Sequence, residues 1–97
     1  MFVHIVAWKY KADTAEEVRN EHRAKLTALP EQIPNIHSFE VGADILHLDR
    51  SFDTGLVAKY PDRKAFDQYT AHEAHQLVAG MGKRIAESVI SVDFLSG

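Results

Sequence analysis

The segment Phe2-Val3-His4-Ile5-Val6-Ala7-Trp8-Lys9-Tyr10 constrains the fold more than any other stretch. Its β-branched and aromatic side chains fit an extended, pleated backbone. Alternation sends Phe2, His4, Val6, Trp8 and Tyr10 to one face and Val3, Ile5, Ala7 and Lys9 to the other. Both faces are mainly apolar, so the strand has to be covered from both sides. A chain of 97 residues holds one modest core, burying roughly two-thirds of the surface it exposes when unfolded. Helices can cover one face of a sheet that size; the other then falls to a second subunit.

The later segments supply the helices. "TAEEV" predicts a helix start with Thr14 as N-cap and Glu17 completing a capping box. That helix should end near Leu29, ahead of Pro30. Its inward stripe reads Val18, His22, Leu26 and Leu29, with a histidine where an apolar residue is usual. "HSFEVGA" reads as a second strand ended by Gly42, residues 43–52 as a polar loop, and "TGLVAKY" (54–60) as a third strand. Pro61 and Asp62 open a second helical stretch, in which Ala65, Phe66, Tyr69, Leu77, Val78, Met81 and Ile85 recur at helical intervals. Gly80 and Gly82 are expected to loosen its middle. "SVISVDFL" closes the pattern as a fourth strand, with Val89, Ser91 and Asp93 opposite Ile90, Val92 and Phe94.

The order β-α-β-β-α-β predicts an α+β, ferredoxin-like domain over residues 1–97. Its four-stranded antiparallel sheet would keep the first and third strands central and both helices on one face. The bare face is expected to close against a second copy of the chain.

Fourteen acidic residues against eleven Lys and Arg give a net charge of −3. No basic stripe is available for nucleic acid, and no polybasic run favours an anionic membrane. The absence of cysteine removes disulfides and thiolate chemistry. The apolar start breaks at Lys9 without a positive flank, too early for a membrane span or signal peptide, so a cytoplasmic protein is expected.

The chemistry-bearing residues cluster in "YTAHEAH" (69–75). His72 and His75 are three apart, which is not the zincin spacing. With no cysteine and no carboxylate cluster to complete a site, no metal is expected. Acid–base work is better served, because histidine titrates near neutral pH and can take a proton and return it. The plain reading stands beside this one: a strand histidine such as His4 is commonly a satisfied core residue, and Tyr69 a packing residue whose hydroxyl finds a partner. Val6, Trp8, Phe66 and Met81 read first as core, and secondly as the lining of a small cavity. His72 reads first as a helix cap or a supporting partner of the other groups, and His37 and His47 as surface residues.

"HIVAWKYK", "IPNIHSFEVG", "YTAHEAH" and "VISVDF" occur in an order and spacing that resemble the stress-responsive A/B barrel (Dabb, dimeric α/β-barrel) family over almost the whole chain. The resemblance implies a homodimer in which two ferredoxin-like sheets form one barrel. Most members have no established activity. A plant polyketide cyclase of the family closes its substrate by aldol condensation without metal or organic cofactor. Its working histidine, tyrosine and second histidine match His4, Tyr69 and His75, and its intervening histidine matches His72. The resemblance thus implies a cofactor-independent enzyme for a carbonyl-containing, polyketide-like small molecule. His4 and His75 would be its acid–base groups and Tyr69 an orienting donor, in a pocket lined by Val6, Trp8, His22, Phe66, His72 and Met81. A non-catalytic stress-responsive or ligand-binding dimer is the alternative. A cofactor-free monooxygenase using Trp8 and Tyr10 as an aromatic surface is a third reading. Two departures matter: Glu73 stands where the family commonly has a helix-breaking proline, and Trp8 replaces a smaller aliphatic residue.

Overall fold

A computed structural model describes all 97 residues. The elements run β1 (Phe2–Tyr10), α1 (Glu16–Thr27), a single turn α2 (Leu29–Gln32), β2 (Ser38–Ala43), β3 (Thr54–Tyr60), α3 (Arg63–Ala71), α4 (Glu73–Ile85) and β4 (Ala86–Leu95). The sheet order is β2-β3-β1-β4 and every pairing is antiparallel, a ferredoxin-like arrangement with β1 and β3 in the centre. The register sets His4 between Ala58 and Asp93, Val6 between Leu56 and Ser91, and Trp8 between Thr54 and Val89.

The helices cover the face that carries these residues. Val6, Leu56, Ala58 and Tyr60 from the sheet pack there against Leu26, Leu29, Tyr69 and Val78. On the opposite face Val57, Ile90, Val92 and Phe94 are all exposed, Val92 by 57%. So the helices cover one face of the sheet, while the other is left open through its β3 and β4 residues, with Val3 of β1 buried among its neighbours. No helix is long and apolar enough to cross a membrane.

Several local expectations change. The first helix starts one residue later than the capping box implies, with Ala15 as N-cap and no side-chain cap. Thr14 instead donates its hydroxyl to the Ile85 carbonyl at 3.3 Å, tying the helix entry to the end of α4. Pro30 does not end the helical region; it occupies the first turn of α2, where its missing N–H has no intrahelical partner to lose. Leu77 is 70% exposed rather than inward. The inward phase follows from one continuous helical stretch opened by Pro61 and Asp62, whereas the chain breaks at His72, an extended residue with φ −66° and ψ 137°. The glycine reading also changes. A Cβ on Gly82 would stand 2.9 Å from both His22 Nε2 and Trp8 Nε1, so this residue allows α4 to close tightly on the sheet and does not loosen it.

Candidate active site

β1 delivers the first side chain. His4 faces the helices, and its Nδ1 pairs with the Asp93 carboxylate directly across the β1–β4 ladder. A carboxylate at Nδ1 fixes the ring and leaves Nε2 as the nitrogen facing any ligand. The Phe66 ring, 4.9 Å from the imidazole, supports it from α3.

The break at His72 positions the other two. Its Nδ1 accepts the Ala74 N–H at 3.0 Å, capping α4 and satisfying one of the orphan donors there. The turn is therefore made without proline. Tyr69 lies in the last turn of α3 and His75 in the first turn of α4, with ring centroids 4.5 Å apart. Tyr69 lies 6.4 Å from the His4 ring.

Each group has a defined protonation character. His75 Nδ1 donates to the Thr70 carbonyl at 3.1 Å, leaving the lone pair on Nε2. Burial holds the His75 pKa below its ordinary value, with the Thr70 bond opposing and nearby His4 adding to the fall. The ring is accordingly a neutral base at neutral pH. Tyr69, 1% exposed, has its phenol pushed up to about 12 by burial, with the Tyr60 hydroxyl opposing. It remains a proton donor at neutral pH. Burial raises Tyr60 further still, with Tyr69 contributing.

His4, Tyr69 and His75 share the wall of one cavity of about 350 Å³ between sheet and helices. Val6, Trp8, Leu26 and Leu56 supply much of its apolar lining. The volume lies at the lower end of the roughly 300–1,000 Å³ typical of small-molecule sites.

Four residues expected on this wall lie elsewhere. Phe66 stacks on Phe2 at 4.4 Å and stands behind His4. His72 is the α4 cap. Met81 borders a separate groove between α1 and α4. His22 is fully buried. Its Nδ1 bonds the Tyr10 hydroxyl at 2.7 Å, and the Tyr10 hydroxyl donates to Thr54 Oγ1 at 2.9 Å. Tyr10, 3% exposed, thus has no place on an open aromatic surface.

Asp93, Thr70, Lys83 and Ser91 are the polar residues at this site that motif reading passes over. Asp93 and Ser91 had a signal, since strand alternation places them on one face with Val89. Lys83 had one too, at eight residues from His75 through Ala79 on one helical face. No three His, Asp or Glu side chains converge as a metal ion would require.

A ferredoxin-like sheet with a histidine–tyrosine cavity beneath its helices and a bare apolar face behind them defines the class. Within that class, the sequence profile of the stress responsive A/B barrel domain, Dabb, matches residues 2–96, and the chain belongs to that family. No curated protein matches it in sequence. Among solved structures it is similar to a dimeric ferredoxin-like protein of unknown function from Thermobifida fusca, at 20% identity and TM-score 0.89, covering 98% of this chain and 90% of that one. A dimeric ferredoxin-like protein of unknown function from Bacteroides fragilis is 25% identical with TM-score 0.83, covering 96% and 93%. The hydroxynitrile lyase of Passiflora edulis is 16% identical with TM-score 0.88, covering 99% and 93%.

Proposed function

We propose that this protein is a homodimeric enzyme that moves protons on a carbonyl-bearing small molecule, using its own side chains as acid and base. The observation that carries the reading is the meeting of His4, Tyr69 and His75 in one cavity, with Tyr69 and His75 in ring contact. In the proposed step, the neutral His75 Nε2 takes a proton from the carbon next to a carbonyl. The C–H electron pair becomes the enolate double bond, and negative charge develops on the carbonyl oxygen. Tyr69 donates a hydrogen bond to that oxygen, where a fixed donor in a site of low water content is most effective. His4, held at Nδ1 by Asp93, presents Nε2 for proton transfer at the second reacting group. Carbon–carbon bond formation or cleavage next to a carbonyl needs no more than this set.

Catalysis on this scaffold has a precedent in the neighbour named as a hydroxynitrile lyase. The dimer reading draws on the bare apolar face and on the neighbours described as dimeric.

The rival reading is a dimer that binds a small molecule and leaves it unchanged. Proton exchange separates the two. Small methyl ketones incubated in D₂O with the protein should lose α-protons, followed by NMR. The rate should fall about 10²- to 10⁴-fold in His75→Ala and His4→Ala. Ketones that bind in the cavity without exchanging would leave the binding dimer as the answer.

A further inference from the structure

The cavity is polarised along its length, and this bears on what enters it. One end holds His4, Tyr69 and His75; Val6, Leu56 and Ala79 line the middle; Trp8, Val89 and Lys83 stand at the other end. Two independent rulers give its span. From His4 to Trp8 is four residues of strand, about 13 Å at ~3.3 Å each. From His75 to Lys83 is eight residues of helix, about 12 Å at ~1.5 Å each. Gly82 fixes the direction of the second ruler, since it abuts the Trp8 ring and lays the late turns of α4 over that end of β1.

Lys83 is the one Lys, Arg, Asp or Glu on the wall. It forms no ion pair with any carboxylate of the chain, as is also true of Lys11, Arg50, Lys59, Lys64 and Arg84; its place on the cavity wall is what sets it apart. Asp93, the acid beside the site, is engaged by His4 at the opposite end. Lys83 is exposed and borders the cavity at its solvent end, where an ammonium is complementary to an anion carried by a ligand that projects outward.

We infer that the substrate is a carbonyl compound with a carboxylate or phosphate at the far end of an apolar segment, and that Lys83 is the residue that selects it. This rests on the proton-transfer reading for the identity of the reacting end, while the charge preference stands on the cavity alone. A lysine in the last turn of α4 also suits the helix dipole, but that role concerns stability and is indifferent to ligand charge.

The probes are 4-oxopentanoate, 6-oxoheptanoate and 8-oxononanoate, their methyl esters, and the matching terminal phosphonates. Affinity is read by NMR titration at low salt, and reactivity by α-deuteration. The two longer acids should bind the wild type about tenfold or more tighter than their esters. Lys83→Met should level acid and ester, Lys83→Glu should favour the ester, and Lys83→Arg should keep the preference; the melting temperature should hold in Lys83→Arg and fall slightly in Lys83→Met and Lys83→Glu as the helix dipole loses its partner. Phosphonates that follow the acids assign the site to terminal anions in general; phosphonates that follow the esters assign it to carboxylates. Equal binding of acid and ester to the wild type, or an undiminished preference in Lys83→Met, would overturn the inference. A Lys83-dependent preference with no ketone exchanging anywhere would defeat the proton-transfer reading and leave this one standing. Exchange without charge preference would do the reverse.

Discussion

The tyrosine–histidine pair of Tyr10 and His22 and that of Tyr69 and His75 stand on the same face of one sheet, and their surroundings divide them. In the first, the hydroxyl and Nδ1 bond each other at 2.7 Å, Thr54 takes the hydroxyl proton, and Arg23 reaches the same Thr54 oxygen at 2.9 Å. Nothing outside the protein has access, and His22 Nε2 is buried without a partner. In the second, Nδ1 of His75 is tied to backbone and the rest of the ring borders a cavity. The residue types are the same. What separates a closed pair from one suited to chemistry is whether its polar atoms are sealed in the core or face space a ligand can occupy.

The most direct way to break this contrast is to remove each hydroxyl in turn. Tyr69→Phe should lower ketone deuteration by about 10²- to 10³-fold, the usual effect of losing an oxyanion donor. Tyr10→Phe should leave that rate within about threefold and lower the unfolding midpoint in urea instead. Equal effects on rate would erase the distinction.

Acid sharpens it next. Burial, with Arg23 adding, lowers the His22 pKa to about 4 from an ordinary 6.5. The unfolded chain therefore binds this proton more readily, so stability is full above pH 6.5 and declines as pH falls toward 4. The loss is roughly 3 kcal/mol over that window. His75 acts in the same direction. Urea unfolding at pH 7, 5.5 and 4.5 should show the slope, and His22→Leu should flatten most of it. An unchanged slope in that variant would place the acid sensitivity elsewhere.

The smallest effect comes from two glycines two residues apart. Gly82→Ala pushes a methyl against His22 and Trp8 at 2.9 Å, and should destabilise by about 1–3 kcal/mol as an overpacked core does. Gly80→Ala meets nothing closer than Arg84 at 3.6 Å, and should stabilise by up to ~1 kcal/mol through helix propensity. Thermal unfolding reads both, and opposite signs are the expected result.

The comparison also marks how far the sequence could be read. Strand alternation grouped His4, Val6 and Trp8 on one face of β1, because period two is rigid and β1 is long; which face the helices cover was left open, and the structure puts them over this one. Alternation also set Ile90, Val92 and Phe94 on one face of the fourth strand and called for a bare apolar face, though it did not say which residues would form it; Val57, Ile90, Val92 and Phe94 do. His22 was harder. Its helical phase pointed inward correctly, but whether it meets a cavity or a wall depends on how closely α4 approaches, and Gly82 decides that from sixty residues away. Thr14 and Glu17 have the letters of a capping box, yet Thr14 found a tertiary acceptor in Ile85. Asp93 was visible as a position and not as a partner, since pairing with His4 needs the register of β1 against β4.

The joint at His72 has a consequence for how this fold could be lost or changed. On one unbroken helix, residues 69 and 75 would sit roughly 9 Å apart along the axis and about two-thirds of a turn around it, facing different neighbours. A residue there that favours the helix interior and cannot cap would fuse α3 with α4, giving more regular structure and more backbone hydrogen bonds. The phenol and the imidazole would part company in the process. Here a gain in order would undo the arrangement the proposed chemistry needs, so stiffness and that arrangement pull in opposite directions at this single position.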